Sequence, residues 1–231
     1  MQIKMLNTEV LPKKNEKWRK LTALVGGVGV CAELNRRSGS SAASLVISGA
    51  KKRGCSIERA TADYLISFVG GDLQTVLNEL EKLCSFTGNG EITADIIENV
   101  AIKSLDASVF DLANSIISKE ADRAFQILST LLTQKTEPTL ILGTLASAFV
   151  DIYRAKIAHK EERRLFELSH FSAYQGKAFK LDSAARLARR LSENQARLCI
   201  DFLSEADIGI KFSNKPNRLI LEELTVKLLN V

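Results

Sequence analysis

The chain has 231 residues, 45% of them hydrophobic, which is enough for one large domain or two small ones with a substantial core. Three prolines, few aromatic residues and an abundance of Leu, Ala, Ile, Glu and Lys favour helices. A net charge of +5 is compatible with phosphate or acidic partners but does not single them out. The most apolar run, "LILGTLASAFV" at 140–150, is about half of what a membrane-spanning helix needs, and "MQIKMLNTEVLPKK" has no signal-peptide core. Cys31, Cys55, Cys84 and Cys199 lie too far apart in sequence for a metal knuckle or a redox pair. They fit a reduced, cytoplasmic protein.

In chain order, "NEKWRKLTAL" (15–24) predicts a short basic helix, and Val28, Val30 and Cys31 predict a strand after it. A lone helix and strand cannot form a core, so residues 1–34 are expected to be the α/β tail of something larger. "NRRSGSSAAS" opens a helix ending near Lys52 and Gly54. Ser56 is placed as the cap of the next helix, whose apolar stripe is Ile57, Ala60, Tyr64, Leu65 and Phe68, with Gly70 and Gly71 as its stop. Asp72 caps another helix, striped by Leu73, Val76, Leu77, Leu80, Leu83 and Cys84. Thr93 starts a short helix through Val100. These elements make a small helical domain at 35–104.

"KSLDAS" (103–108) reads as a linker, with Ser108 and Asp111 as a capping-box-like helix start. A bundle over 105–231 is then expected. Its stripes run through Leu112 and Ile116, through Ala124 and Leu128, and behind Pro138 through Ile141, Leu145 and Ile152. A charged stretch, "AHKEERRLFELSHFSAYQGKAFK", follows. Two closing helices carry Cys199, Leu203, Ala206 and Ile210, then Leu221, Leu224 and Leu228. The fold class is all-α, a small helical domain before a larger bundle.

Chemistry is sparse. Gly26, Gly27 and Gly29 lack the Lys-Ser/Thr that a phosphate-cradling loop requires. His159 and His170 are too far apart to face one metal from neighbouring turns. No nucleophile elbow or catalytic-cysteine signature is visible. Basic clusters stand out instead: Lys51, Lys52 and Arg53; Arg163 and Arg164; Arg186, Arg189 and Arg190, whose spacing places them on one helix face; and Lys211, Lys215 and Arg218. They are candidates for solvated faces, for partner surfaces or for phosphate contacts.

"VGGDLQTVLNELEKL", with Gly71, Asp72, Leu77, Asn78 and Glu81, resembles the lid domain of clamp-loader AAA+ proteins. More narrowly, the chain is similar to the delta subunit family of bacterial DNA polymerase III. "ASVFDLANSIISKEADRAFQILSTLL" and "PTLILGTLASAFVDIYRAK" resemble the start of that family's collar domain. "EADIGIKFSNKPNRLILEELTVKLL" resembles its closing helix pair, and "EKWRKLTALVGGVGVCAEL" the end of its AAA+-like first domain.

The resemblance implies a clamp-loader subunit without ATPase activity, acting as scaffold and lever within a DNA-directed DNA polymerase (nucleotidyltransferase) holoenzyme. Its implied partners are the ATPase subunits, a delta-prime-like subunit and, indirectly, primer–template DNA. Contact with the sliding clamp belongs to the family's first domain, of which only the tail fits here. Working AAA+ lids place an arginine near the Gly-Asp motif; Gln74 and Thr75 stand here, and no cofactor, metal or catalytic residue is expected. Lys211, Arg218 and Glu222 are the expected collar interface, and Arg186, Arg189 and Arg190 the expected DNA or partner contacts. The alternatives are the C-terminal helical part of an active AAA+ ATPase, or a free-standing helical DNA-binding or adaptor protein.

Overall fold

A computed structural model of the chain describes residues 16–28, 39–160 and 178–231. The chain divides into two units, Met1–Arg36 and Arg37–Val231. In the first, α1 spans Glu16–Val28, with Lys20 paired to Glu16 one turn away at 3.1 Å. Val28, expected in a strand, is the last residue of this helix, whereas Val30 and Cys31 lie outside the described residues. The physical reason is backbone satisfaction. A helix pairs its own N–H and C=O groups, whereas a strand would need a neighbour, and the described part of this unit contains none.

The second unit is all-α except for two short strands, with two separate apolar cores. The first core gathers α2 (Gly39–Lys52), α3 (Arg59–Val69), α4 (Leu73–Thr87) and α5 (Ala94–Val100) around Val46, Leu65, Leu80 and Ile97. Strands β1 (Ser56–Ile57) and β2 (Glu91–Ile92) pair in parallel, Ser56 with Glu91 and Ile57 with Ile92. Ser56 is thus a strand residue and not a helix cap. Its N–H donates to the Gly90 carbonyl at 3.1 Å, and α3 starts three residues later behind Glu58, which makes no side-chain cap bond. Burying Ile57 beside Ile92 outweighs one capping bond.

Gly70 stops α3 with φ +96°, a left-handed value that favours glycine. Asp72 caps α4 as its sequence position predicts: its Oδ2 accepts from Thr75 N–H at 2.9 Å and from Thr75 Oγ1 at 2.7 Å. Those two bonds stabilise the charged carboxylate and hold its pKa below the usual range. Cys55 and Cys84 are buried, and desolvation first of all pushes the Cys84 thiol up to about 11.

The first helix of the bundle starts before Ser108, the residue expected to cap it. Helix α6 spans Leu105–Ile117 and its cap is Ser104, whose Oγ accepts from Ala107 N–H at 3.2 Å. Residues 105–108 are therefore helical, and Ser108 donates its hydroxyl back to the Ser104 carbonyl at 3.0 Å. Ser104 also donates its N–H to the Phe68 carbonyl at the end of α3, 2.9 Å away. Leu105 packs against the bundle core, which favours an added first turn over a linker.

Then come α7 (Ala121–Thr133), α8 (Pro138–Lys160), α9 (Ala178–Ala188), α10 (Glu193–Phe212) and α11 (Asn217–Leu229). Pro138 opens α8 where its missing N–H costs nothing. Ser192 and Gln195 form a reciprocal capping box on α10. Helix α8 packs against α6, α9 and α10, and α11 closes against α10, α7 and α6. The core joins Leu112 and Ile116 of α6, Leu128 of α7, Phe149 and Ile152 of α8, Leu203 of α10 and Leu224 of α11. Among the described residues no helix is long and apolar enough to cross a membrane. His170, Arg163 and Arg164 fall outside the described residues, as does the side chain of His159.

Two outcomes follow. Phe149 is fully buried and Phe212 is 82% exposed. Denaturant unfolding should therefore show Phe149→Ala losing about 3–5 kcal/mol and Phe212→Ala changing stability by no more than about 0.5 kcal/mol. For Asp72 the depressed folded-state pKa means that its contribution is present above the unfolded value and is lost as pH falls through the folded one. Asp72→Ala should lower Tm at neutral pH, and the gap to the parent protein should close below about pH 4.

Candidate functional surfaces

Three surfaces carry the residues singled out by sequence, and each is first a matter of helix ends. At the start of α4, the side chains around the Gly-Asp pair are engaged locally. Thr75 bonds Asp72, and Gln74 donates its amide to Asn78 Oδ1 along the helix at 2.9 Å. This neighbourhood presents neutral donors and a capped carboxylate, with no guanidinium from positions 72–75. Among the described residues no cluster of three His, Cys, Asp or Glu side chains could hold a metal. Cys199 is buried, and its thiol is pushed up to about 11 by desolvation, so it acts as a small hydrophobe.

The second surface is the closing pair α10–α11. Lys211 reaches Asp207 at 2.7 Å, Arg218 reaches Glu222 at 2.8 Å, and Lys215 reaches Glu223 at 3.1 Å. Lys227 bridges to Glu205 at 2.8 Å, tying α11 to α10. Each sequence-predicted interface charge is therefore compensated within the chain, and exposed pairs of this kind contribute about 0.2–1 kcal/mol each. Between these charges stand apolar side chains that periodicity did not single out: Ile208 and Phe212 one turn apart on α10, and Leu219 in the first turn of α11. Ile208 is 57% exposed and Phe212 82%. The signal was present, since 208 and 212 fall off the 203–206–210 stripe that packs inward.

The third surface surrounds the arginines. Helix α9 ends at Ala188, so Arg186, Arg189 and Arg190 do not share one helix face. The chain must turn there to reach the Ser192 capping box. Arg186 and Arg190 nevertheless converge on one cleft, while Arg189 lies exposed on the turn. Arg186 donates to Ser183 Oγ at 3.1 Å, and Arg190 crosses to Ser118 Oγ at the end of α6 at 2.7 Å. Both acceptors are neutral. Among the described residues none of the three guanidiniums meets a carboxylate, unlike Lys211, Lys215, Arg218 and Lys227.

The cleft has a volume of about 860 Å³, between the end of α3, α6, the first half of α8 and α9. Its apolar walls include Phe68, Phe110 and Leu140. Lys103 closes one side, paired with Asp111 and lying 5.3 Å from the centre of the Phe68 ring. Tyr64 donates its hydroxyl to Glu98 at 2.7 Å, and burial first, then that bond, raises its pKa above the usual phenol value.

Comparison with known proteins agrees with this architecture. Residues 106–228, over half of the chain, match the family model described as the DNA polymerase III delta subunit, C-terminal domain. DNA polymerase III subunit delta of Bacillus subtilis is 28% identical over 218 residues, covering 94% of this chain and 62% of that protein. The corresponding Escherichia coli subunit is 23% identical over 168 residues, covering 72% of this chain and 48% of that protein. The solved structure of the Bacillus subtilis DNA clamp loader delta protein superposes with a TM-score of 0.74 at 26% identity, over 96% of this chain and 64% of that one. The chain thus spans less than two thirds of the length of the relatives it matches. By the family match across α6–α11, it belongs to the DNA polymerase III delta subunit family.

Proposed function

We propose that the chain works as the delta-type subunit of a bacterial clamp loader, a cytoplasmic scaffold in the loading of a sliding clamp during DNA replication. In this reading residues 105–231 are the collar, residues 35–104 a lid that keeps its shape without sensing nucleotide, and residues 1–34 the end of the first domain. The observation that carries the reading is the exposed apolar set Ile208, Phe212 and Leu219, held among fixed ion pairs within the region that matches the family. A large aromatic side chain standing in water beside ordered charges is the usual composition of a binding hot spot and its polar rim.

Lys211, Arg218 and Glu222 form that rim. The Lys211–Asp207 and Arg218–Glu222 pairs keep them in place before a partner arrives, so they supply register more than affinity. ATPase subunits and a delta-prime-like subunit are the proposed partners, with primer–template DNA reached through the ring they form. Gln74 and Thr75 in place of an arginine support a lever role, in which other subunits hydrolyse nucleotide. The Arg186–Arg190 region is the proposed second contact, with DNA or with another partner.

The test is assembly. Mixed with its cognate ATPase and delta-prime-like subunits, the chain should co-elute at the mass of a mixed ring in size exclusion with light scattering. Phe212→Asp should weaken that assembly by about 100-fold or more while circular dichroism and Tm stay unchanged. A parent chain that remains monomeric beside partners that assemble without it would sink the reading.

A further inference from the structure

We propose that the cleft between α3, α6, α8 and α9 is a second docking site, which takes an acidic amphipathic helix from a partner protein. None of its residues belongs to α10 or α11, so the proposal does not depend on the collar surface. Three observations converge on it.

The first is charge. Arg186 and Arg190 line the cleft and donate to serine hydroxyls, and among the described residues neither of these two positive charges meets a carboxylate. The acidic groups of the cleft are already engaged: Asp111 with Lys103, Asp151 with Arg154, and Asp106 within the chain. Carboxylates from outside would complete the guanidiniums in bidentate pairs.

The second is Gly143. It sits in the interior of α8, faces the cleft, and a Cβ built on it meets nothing within 4 Å. Gly49, by contrast, would collide with Leu80 at 3.0 Å, so its lack of a side chain serves the chain's own packing. A glycine inside a helix lowers stability relative to alanine, and nothing within the described residues requires one at 143. Something lying against the bare backbone from outside would. Ser147, one turn on, is also small and exposed, which continues the track along α8. Small residues let two helices approach closely.

The third is apolar surface. Leu140 is 54% exposed at the mouth of this track, with Phe68 and Phe110 across the cleft. Two apolar side chains one turn apart on an incoming helix would cover Leu140 and Phe110, and glutamates on its flank would meet Arg186 and Arg190. This is the helix-in-groove mode of recognition.

The probes are fluorescein-labelled helical peptides rich in glutamate with leucine, phenylalanine or methionine at two positions one turn apart. Fluorescence anisotropy on the full chain should find saturable binding by at least one, and replacement of its apolar pair by serine should weaken it about 10-fold or more. Arg186→Glu should weaken it similarly. Gly143→Leu carries the decisive reading, because it fills open space: it should raise Tm and abolish the binding. The proposal is overturned if no peptide binds saturably, if Gly143→Leu leaves affinity unchanged, or if serine and apolar peptides bind equally. It is also overturned if a single-stranded oligonucleotide takes the site with higher affinity than every peptide, which would give the arginines to DNA.

Discussion

The bundle depends on the inward side of α8. Ile141, Leu145, Phe149 and Ile152 are all buried on one stripe, and that stripe binds α6, α9 and α10 at once. Burial stabilises this contact by about 25 cal/mol per Å² of apolar surface removed from water. Every other feature is what remains after that stripe is satisfied. With α10 committed to α8 through Cys199 and Leu203, the 208 and 212 positions are left facing water. With α9 committed through Ala184 and Leu187, Arg186 is turned to the cleft, on whose far side stand Phe68 and Tyr64 of α3. One packing constraint thus creates two exposed surfaces, one on the closing helices and one at the cleft.

Electrostatics separates those surfaces. On the closing helix pair Lys211, Lys215, Arg218 and Lys227 each have an anion within reach, so this surface is patterned but locally neutral. In the proposed function such a surface would select a partner by register and shape, with Phe212 as its apolar centre. Among the described residues Arg186, Arg189 and Arg190 meet no carboxylate, so attraction to acidic groups extends into solvent and falls with salt. Ser104 links the two halves of the second unit: its N–H holds the end of α3 and its hydroxyl caps α6. The proposed lever role needs a joint of this kind, short and hydrogen-bonded on both sides.

Much of the helical architecture was legible in the sequence, because stripes such as Leu73–Leu80–Leu83 and Leu221–Leu224–Leu228 repeat at helical spacing and the stops are chemically explicit. Asp72, Thr93, Gly70 and Pro138 all stand where their side chains or backbone freedom require. The misplaced boundaries arise where one signal competes with another: a tertiary contact in two cases, the start of the next helix in a third. Ser56 could cap a helix, but pairing Ile57 with Ile92 across the strands won. Ser108 could start α6, but Leu105 had core to cover, so Ser104 became the cap. Arg189 matched a helix face until the Ser192 capping box ended α9 before it. The charges at 211, 218 and 222, proposed to lie at an interface, were visible as sequence, whereas the exposure of Phe212 was not. An apolar residue beside a stripe reads as core until a neighbouring helix is seen to pass it by. The cleft was invisible for the same reason, since it joins residues from 64 to 190 that only the fold assembles.

The central claim is that the chain contributes surface and position through its closing helices. Hydrogen–deuterium exchange read by mass spectrometry, on the chain alone and in the mixture with ATPase and delta-prime-like subunits, tests this most directly. The account predicts added protection over residues 205–222, with the buried segments of α8 unchanged because they are already protected by packing. Unchanged exchange at 205–222 in an assembled complex would contradict it, and would move the contact to another face of the bundle.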